Sequence, residues 1–286
     1  MTTIAFVLVL VSATLHATWN FLAKRAGGDT AFVWLFSTIA TVIYFPLAIA
    51  VLVVQKPQLG GPELTALAIT CFLHIAYYLF LSWGYQVGDL SLVYPIARGA
   101  GPVLAVIGAI ILLGERPSLY ALGAMLLIST GIVILTTSPN SGRKGNLWLG
   151  VIYGLLTAIA IGAYTLQDKQ VVSYYLVPPL ILTWVGNLFQ AVVLAPHAAR
   201  HWDRVKFNWQ QNKREAFGIG ILDSFSYILF LIALSTGAVA QLSPLRQTSI
   251  LIGAFLGTRL LLEEGGRRRI AAAVVMMIGV IVLAVG

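Results

Sequence analysis

Apolar runs of about 20 residues, parted by short polar turns, recur along the whole chain, and their length decides what they are. An α-helix rises about 1.5 Å per residue, so roughly 20 apolar residues match the hydrocarbon core of a bilayer. The pattern predicts ten such helices, near residues 3–23, 31–54, 64–87, 90–113, 118–138, 147–167, 175–196, 216–236, 239–262 and 269–286. Turn signals separate them, among them "AGGD", "QKPQLGGP", "GERPS", "SPNSGRKG" and "EEGGRRR". The longest connection, "HAARHWDRVKFNWQQNKRE" from His197 to Glu215, mixes tryptophans with basic residues. That mixture suits an amphipathic segment at the headgroups; a solvated loop is the alternative. The expected fold class is an all-α integral membrane protein.

The second half repeats the first. A shift of 149 positions lays "YLFLSWGYQVGDLSLVYP" over "YILFLIALSTGAVAQLSP", so that Tyr78 meets Tyr227, Gly88 meets Gly237 and Pro95 meets Pro244. The same shift pairs His74 with Asp223 and Glu115 with Glu264, and a shift of 145 pairs Trp19 with Tyr164 and Lys24 with Lys169. Each half holds five predicted helices. An odd-numbered repeat crosses the membrane in opposite senses, which gives inverted repeats around a central cavity, a plan used by secondary transporters. The expected units are a first repeat at 1–138, a linker at 139–146 and a second repeat at 147–286.

Composition agrees with burial in lipid. Of the 286 residues, 59% are hydrophobic and 10% charged, against about 25% charged in a soluble domain. The net charge of +8 is spread unevenly over the predicted loops. One face carries three basic residues, Lys56, Arg116 and Lys169, and the other carries twelve. By the positive-inside rule the richer face is cytoplasmic, which puts both termini in the periplasm of an inner-membrane, multi-pass protein. The basic excess is therefore assigned to anionic lipid, and no nucleic-acid partner is expected. The opening "MTTIAFVLVLVSATLHA" lacks a basic start and reads as a retained helix. The single cysteine, Cys71, leaves no disulfide and no cysteine metal cluster. No phosphate loop, zinc motif or nucleophile elbow occurs, so no cofactor, metal site or catalytic residue is expected, and the chain is not read as an enzyme.

Polar groups inside the predicted helices supply the candidate chemistry. Arg98 lies deep in the fourth, after Pro95 and beside Gly99 and Gly101, and Arg246 follows Pro244 in the ninth. An arginine at mid-membrane is costly, about 2.5–3.5 kcal/mol on insertion scales, and faces the bundle interior or water. The two prolines and two glycines are expected to break their helices and open them to a cavity. The competing reading is a structural Arg98 that satisfies freed carbonyls or pairs with Asp223. Stripes at helical spacing add His74, Tyr77, Tyr78, Ser82 and Tyr85 on the third helix, and Asp223, Ser226 and Tyr227 on the eighth. They also add Ser12, His16, Trp19 and Asn20 on the first, and Thr157, Tyr164 and Asp168 around the sixth.

These residues resemble a known group. "HATWNFLAKRA", "SLVYPIARGAGPVLAVIGAIILLGERPS" with "LGAMLLISTGIVIL", and "QLSPLRQTSILIGAFLGTRLLLEE" are similar to the first, fourth, fifth and ninth helices of EamA-type transporters of the drug/metabolite transporter superfamily. The resemblance spans essentially the whole chain. It implies two five-helix inverted repeats and export of small metabolites, amino acids prominent among them. The aromatic lining resembles that of the aromatic amino acid exporter subgroup and, by position, points to Trp19, His74, Tyr78, Tyr94 and Tyr164. The expected substrate site is completed by Arg98, Asp223, Tyr227 and Arg246. Arg98 would grip a carboxylate, and His74 and Asp223 are the candidate proton carriers. The expected partners are a small-molecule substrate and membrane lipid, with the chain a monomer or homodimer. A cationic drug exporter and a non-transporting scaffold or sensor are the other functions weighed.

Overall fold

The structure, a computed structural model, describes residues 2–26, 29–87, 90–136, 146–252 and 266–285. The described residues form helices and no strand. In chain order these are α1 (Thr3–Ala26), α2 (Thr30–Gln55), α3 (Gly61–Val87), α4 (Leu90–Leu112) and α5 (Leu119–Thr136). They continue as α6 (Leu147–Ser173), α7 (Pro179–Arg200), α8 (Trp202–Thr236), α9 (Val239–Arg246) and α10 (Gly266–Val285). Six of them, α1, α2, α3, α6, α7 and α8, contain stretches long and apolar enough to cross a membrane. Shorter apolar stretches occupy Ile96–Leu112 and Leu119–Ile134. Glu264 lies outside the described residues.

The packing pairs carry the repeat. Helix α1 packs on α8 and α6 on α3, α2 pairs with α7, α5 with α10, and α4 with α6 and α9 with α1. Exchanging the first five helices for the last five maps this set onto itself. Each half therefore completes itself with helices of the other, α1 on α8 and α3 on α6, with α6 also packed on α8.

The break expected in the fourth helix is absent. α4 runs unbroken from Leu90 to Leu112 through Pro95, Gly99 and Gly101. Pro95 is near the helix start, so the bond it cannot make is to a first-turn carbonyl and the rest of the ladder survives. The glycines serve a packing seam instead of a cavity. A Cβ on Gly101 would lie 2.8 Å from Ile161 Cγ2 of α6, and one on Gly99 would lie 3.4 Å from Val133 Cγ2 of α5. From the other side, a Cβ on Gly154 of α6 would sit 3.0 Å from the Ile96 Cβ. In the second half, α9 stops at Arg246, two residues after Pro244, and the chain is helical again over 248–252.

Two other segments depart from expectation. The stretch His197–Glu215 is helical: α7 runs to Arg200, and α8 starts at Trp202 and kinks at Asn212 (φ −124°, ψ 22°). Helix α6 runs past 167 to Ser173 because its polar side chains find partners on α8. Lys169 Nζ donates to the carbonyls of Leu234 (2.8 Å) and Gly237 (2.9 Å), and Ser173 Oγ to that of Ser235 (3.1 Å). Lys169 is thus no loop cation, and three basic residues minus this one leaves two, Lys56 and Arg116, on that face.

The turn between α8 and α9 is gripped from both sides. Lys169 holds the carboxyl end of α8, where cations belong. Glu115 holds the amino end of α9: its Oε1 accepts from the Val239 amide at 2.8 Å and its Oε2 from that of Ala240 at 3.0 Å. Gly114 makes this reach possible. It takes the left-handed conformation (φ 67°), and the Glu115 amide folds back to the Ala109 carbonyl at 3.1 Å, a glycine-ended helix terminus that aims Glu115 at α9.

Candidate substrate site

A buried carboxylate sits where α3, α6 and α8 meet. Asp168 of α6 has a fully buried side chain, and its Oδ2 lies 3.1 Å from His74 Nε2 of α3. The Tyr227 hydroxyl of α8 donates to the same oxygen and stands 3.3 Å from His74 Nε2. The other carboxylate oxygen, Oδ1, has no hydrogen-bond partner among the described residues. His74 Nε2, the Asp168 carboxylate and the Tyr227 hydroxyl thus form one hydrogen-bonded cluster. Burying an ion costs several kcal/mol unless it is paired, which makes this cluster sensitive to any charge brought near it.

Aromatic rings fix the cluster's geometry. Tyr164, one turn before Asp168, stacks on His74 with centroids 4.2 Å apart and planes 25° apart. Tyr77, one turn after His74, meets Tyr164 edge-on at 5.7 Å. His74 keeps 34% of its side chain exposed, with buried Asp168 behind it.

Two arginines border this cluster. Arg98 of α4 donates from Nη2 to the Tyr77 hydroxyl at 3.0 Å. Arg246, at the end of α9, lies over the rings of Tyr227 (4.8 Å) and Phe230 (4.3 Å), the cation–π arrangement that keeps a guanidinium in an apolar setting. Asp223, one turn before Tyr227, is within electrostatic reach of Arg246 and His74. His16 of α1 stands in the field of both arginines and accepts a hydrogen bond from Trp19 Nε1 at 3.2 Å. Such a set can hold an anion against guanidinium groups, stack a flat substituent on tyrosine, and answer with a proton on the His74–Asp168 pair.

Of the residues singled out in the sequence, the structure brings together His74, Tyr164, Tyr227, Arg98 and Arg246, with Asp223 close by. Trp19 is further out: it reaches the group through His16 and packs beside Phe32 and Leu35. It is Tyr77, and not Tyr78, whose hydroxyl and ring reach Arg98 and Tyr164. The side chain of Tyr94 lies outside the described residues. Asp168 was seen only as part of a stripe. Its signal was there, an aspartate one turn beyond Tyr164, but the apolar run ends just before it.

Comparison with known proteins bears on the whole chain. The EamA-like transporter family matches at residues 3–137 and again at 148–285, once in each half. No curated protein matches the sequence. A crystal structure of a protein with 17% sequence identity shares the fold, with a TM-score of 0.78 over 100% of this chain and 98% of the other. With both halves matched and six helices of crossing length, this is a multi-pass membrane protein of the drug/metabolite transporter superfamily, and it belongs to the EamA-like transporter family.

Proposed function

We propose that this protein is a secondary exporter of small carboxylate-bearing metabolites, with amino acids, aromatic ones included, as the first class to test. The observation that carries this reading is the ring of Arg98, Arg246, Tyr77 and Tyr164 around the buried His74–Asp168–Tyr227 cluster. The substrate carboxylate meets the guanidinium groups, where charge-assisted bonds are strong. Its side chain packs on the tyrosine rings. Because the cluster is built from α3 of one half and α6 and α8 of the other, relative motion of the halves exposes it alternately to the two faces. A cationic substrate fits less well: Asp223 would attract it, but two guanidinium groups stand beside the same cluster. A scaffold without transport gives no reason to keep these ionisable groups inside the helices.

Counterflow in proteoliposomes tests the reading. Vesicles loaded with an unlabelled amino acid should accumulate the labelled form, and vesicles loaded with its decarboxylated amine should not. Exchange of amines with no exchange of acids would transfer the assignment to cations.

The same reading places the protein in the inner membrane with both termini in the periplasm. It rests on the excess of basic loop residues on the opposite face. A carboxy-terminal reporter that fluoresces only in the cytoplasm should stay dark, and a bright reporter would reverse the orientation.

A further inference from the structure

We propose that the groove between α2 and the first part of α8 binds an anionic phospholipid of the surrounding bilayer. The groove measures about 440 Å³, and its walls are almost wholly apolar, with Trp34, Ile39 and Val42 on α2 facing Trp202, Trp209 and Phe217 on α8. Its α2 wall runs from Trp34 to Ile43, about 14 Å of helix, room for much of an acyl chain. Trp34 and Trp202 meet edge-on at 6.1 Å. Tryptophans of this kind lodge where hydrocarbon gives way to headgroups, so this end of the groove lies at headgroup depth.

Charge selects the occupant. Lys206 is the one charged residue in the lining, and it is exposed. The segment 197–215 around it carries five basic residues against two acidic ones. An acyl chain along α2 brings its headgroup to Lys206, and this surplus favours a net-negative headgroup over a zwitterionic one.

The position gives the lipid a mechanical role. The groove straddles the α8 kink at Asn212, with Trp202 and Trp209 before it and Phe217 after it. The amphipathic arm is tied down on its other side, where Asn208 Nδ2 donates to Asp29 Oδ1 at 3.0 Å and Asn212 Nδ2 to the Ala26 carbonyl at 3.3 Å. A lipid in the groove fills the side those bonds leave open and sets the angle of the arm to the membrane-crossing part of α8.

The test uses the purified full-length chain in detergent, titrated with phosphatidylglycerol or phosphatidylcholine of identical acyl chains. Retained lipid is read by native mass spectrometry and the melting midpoint by a thermal scan. Phosphatidylglycerol should be retained more tightly and raise the midpoint further. Lys206→Glu should weaken its retention roughly ten- to hundredfold, the worth of one charge-assisted contact, and leave phosphatidylcholine unchanged. Lys206→Arg should behave as the parent. Thr38→Phe, which keeps every charge and fills the groove wall, should lower retention as well. Equal retention of the two lipids by the parent chain, or a phosphatidylglycerol preference that survives both Lys206→Glu and Thr38→Phe, overturns the proposal.

Discussion

Replacing Asp168 by asparagine is expected to stop transport while leaving the protein folded, and replacing it by alanine is expected to damage both. The difference lies in what each variant leaves behind. Asparagine keeps an oxygen for the Tyr227 hydroxyl and His74 but removes the carboxylate and its capacity to take a proton. Transport should then fall at least about a hundredfold, equivalent to roughly 3 kcal/mol at the transition state, since the charge that answers the bordering arginines is gone. Alanine strips the imidazole and the hydroxyl of their acceptor. Removing one partner of a buried pair costs about 3–5 kcal/mol, so the melting midpoint in detergent should drop by roughly ten degrees. Flux assays and melting curves on the two variants separate the roles. If Asp168→Asn transports at the parental rate, the carboxylate is a packing element and the cluster is no part of the transport cycle.

The second large effect is expected at Arg98. Arg98→Lys keeps the charge but loses the planar fork that grips a carboxylate with two parallel bonds. Apparent affinity for an acid substrate should fall by one to two decades, matching about 1.5–3 kcal/mol for a charge-assisted hydrogen bond. The decarboxylated amine, with nothing for the fork to hold, should be nearly indifferent in a competition assay. Tyr77→Phe removes the hydroxyl that receives Arg98 Nη2 and should reproduce a weaker form of the same selective loss. Equal loss for acid and amine, with a lowered melting midpoint, would assign Arg98 to structure and remove it from the site.

The fold was largely legible because lipid imposes one dominant pattern. Run length found the helices, and the paired positions of Tyr78 with Tyr227 and Pro95 with Pro244 revealed the repeat. The cost of burying charge pointed to His74, Arg98 and Arg246 before any contact was known. Asp168 stood out only as one member of a helical stripe, for two reasons. An aspartate and a lysine at 168 and 169 end an apolar run, and only the α8 carbonyls that receive Lys169 show why the helix goes on. The repeat gave no help either, since the shift of 145 pairs Asp168 with Ala23. Tyr77 and Tyr78 are neighbours in one stripe, and periodicity cannot choose between residues about 100° apart on a helix. The helix break was misplaced because a proline's effect depends on where its helix begins, which composition does not tell. The helical arm at 202–211 is held by tertiary contacts that sequence does not show: Val205 packs with Ala31 and Trp34 of α2, and Asn208 bonds Asp29.

The doubly gripped turn between α8 and α9 has a consequence for timing. Glu115 comes from the first half of the chain and Lys169 from the second, and together they make four charge-assisted bonds to the ends of two rigid helices. Lys169 braces α8 within the second half, so parting the halves on this side needs the two Glu115 bonds to the α9 amides to let go together. Such a fastening resists small fluctuations and then releases at once. In the proposed alternating-access cycle, the passage between the two forms is expected to be a discrete jump with a dwell time, slow beside side-chain motion. On the proposed reading, turnover at saturating substrate is expected to be clocked by the release of Glu115 from α9.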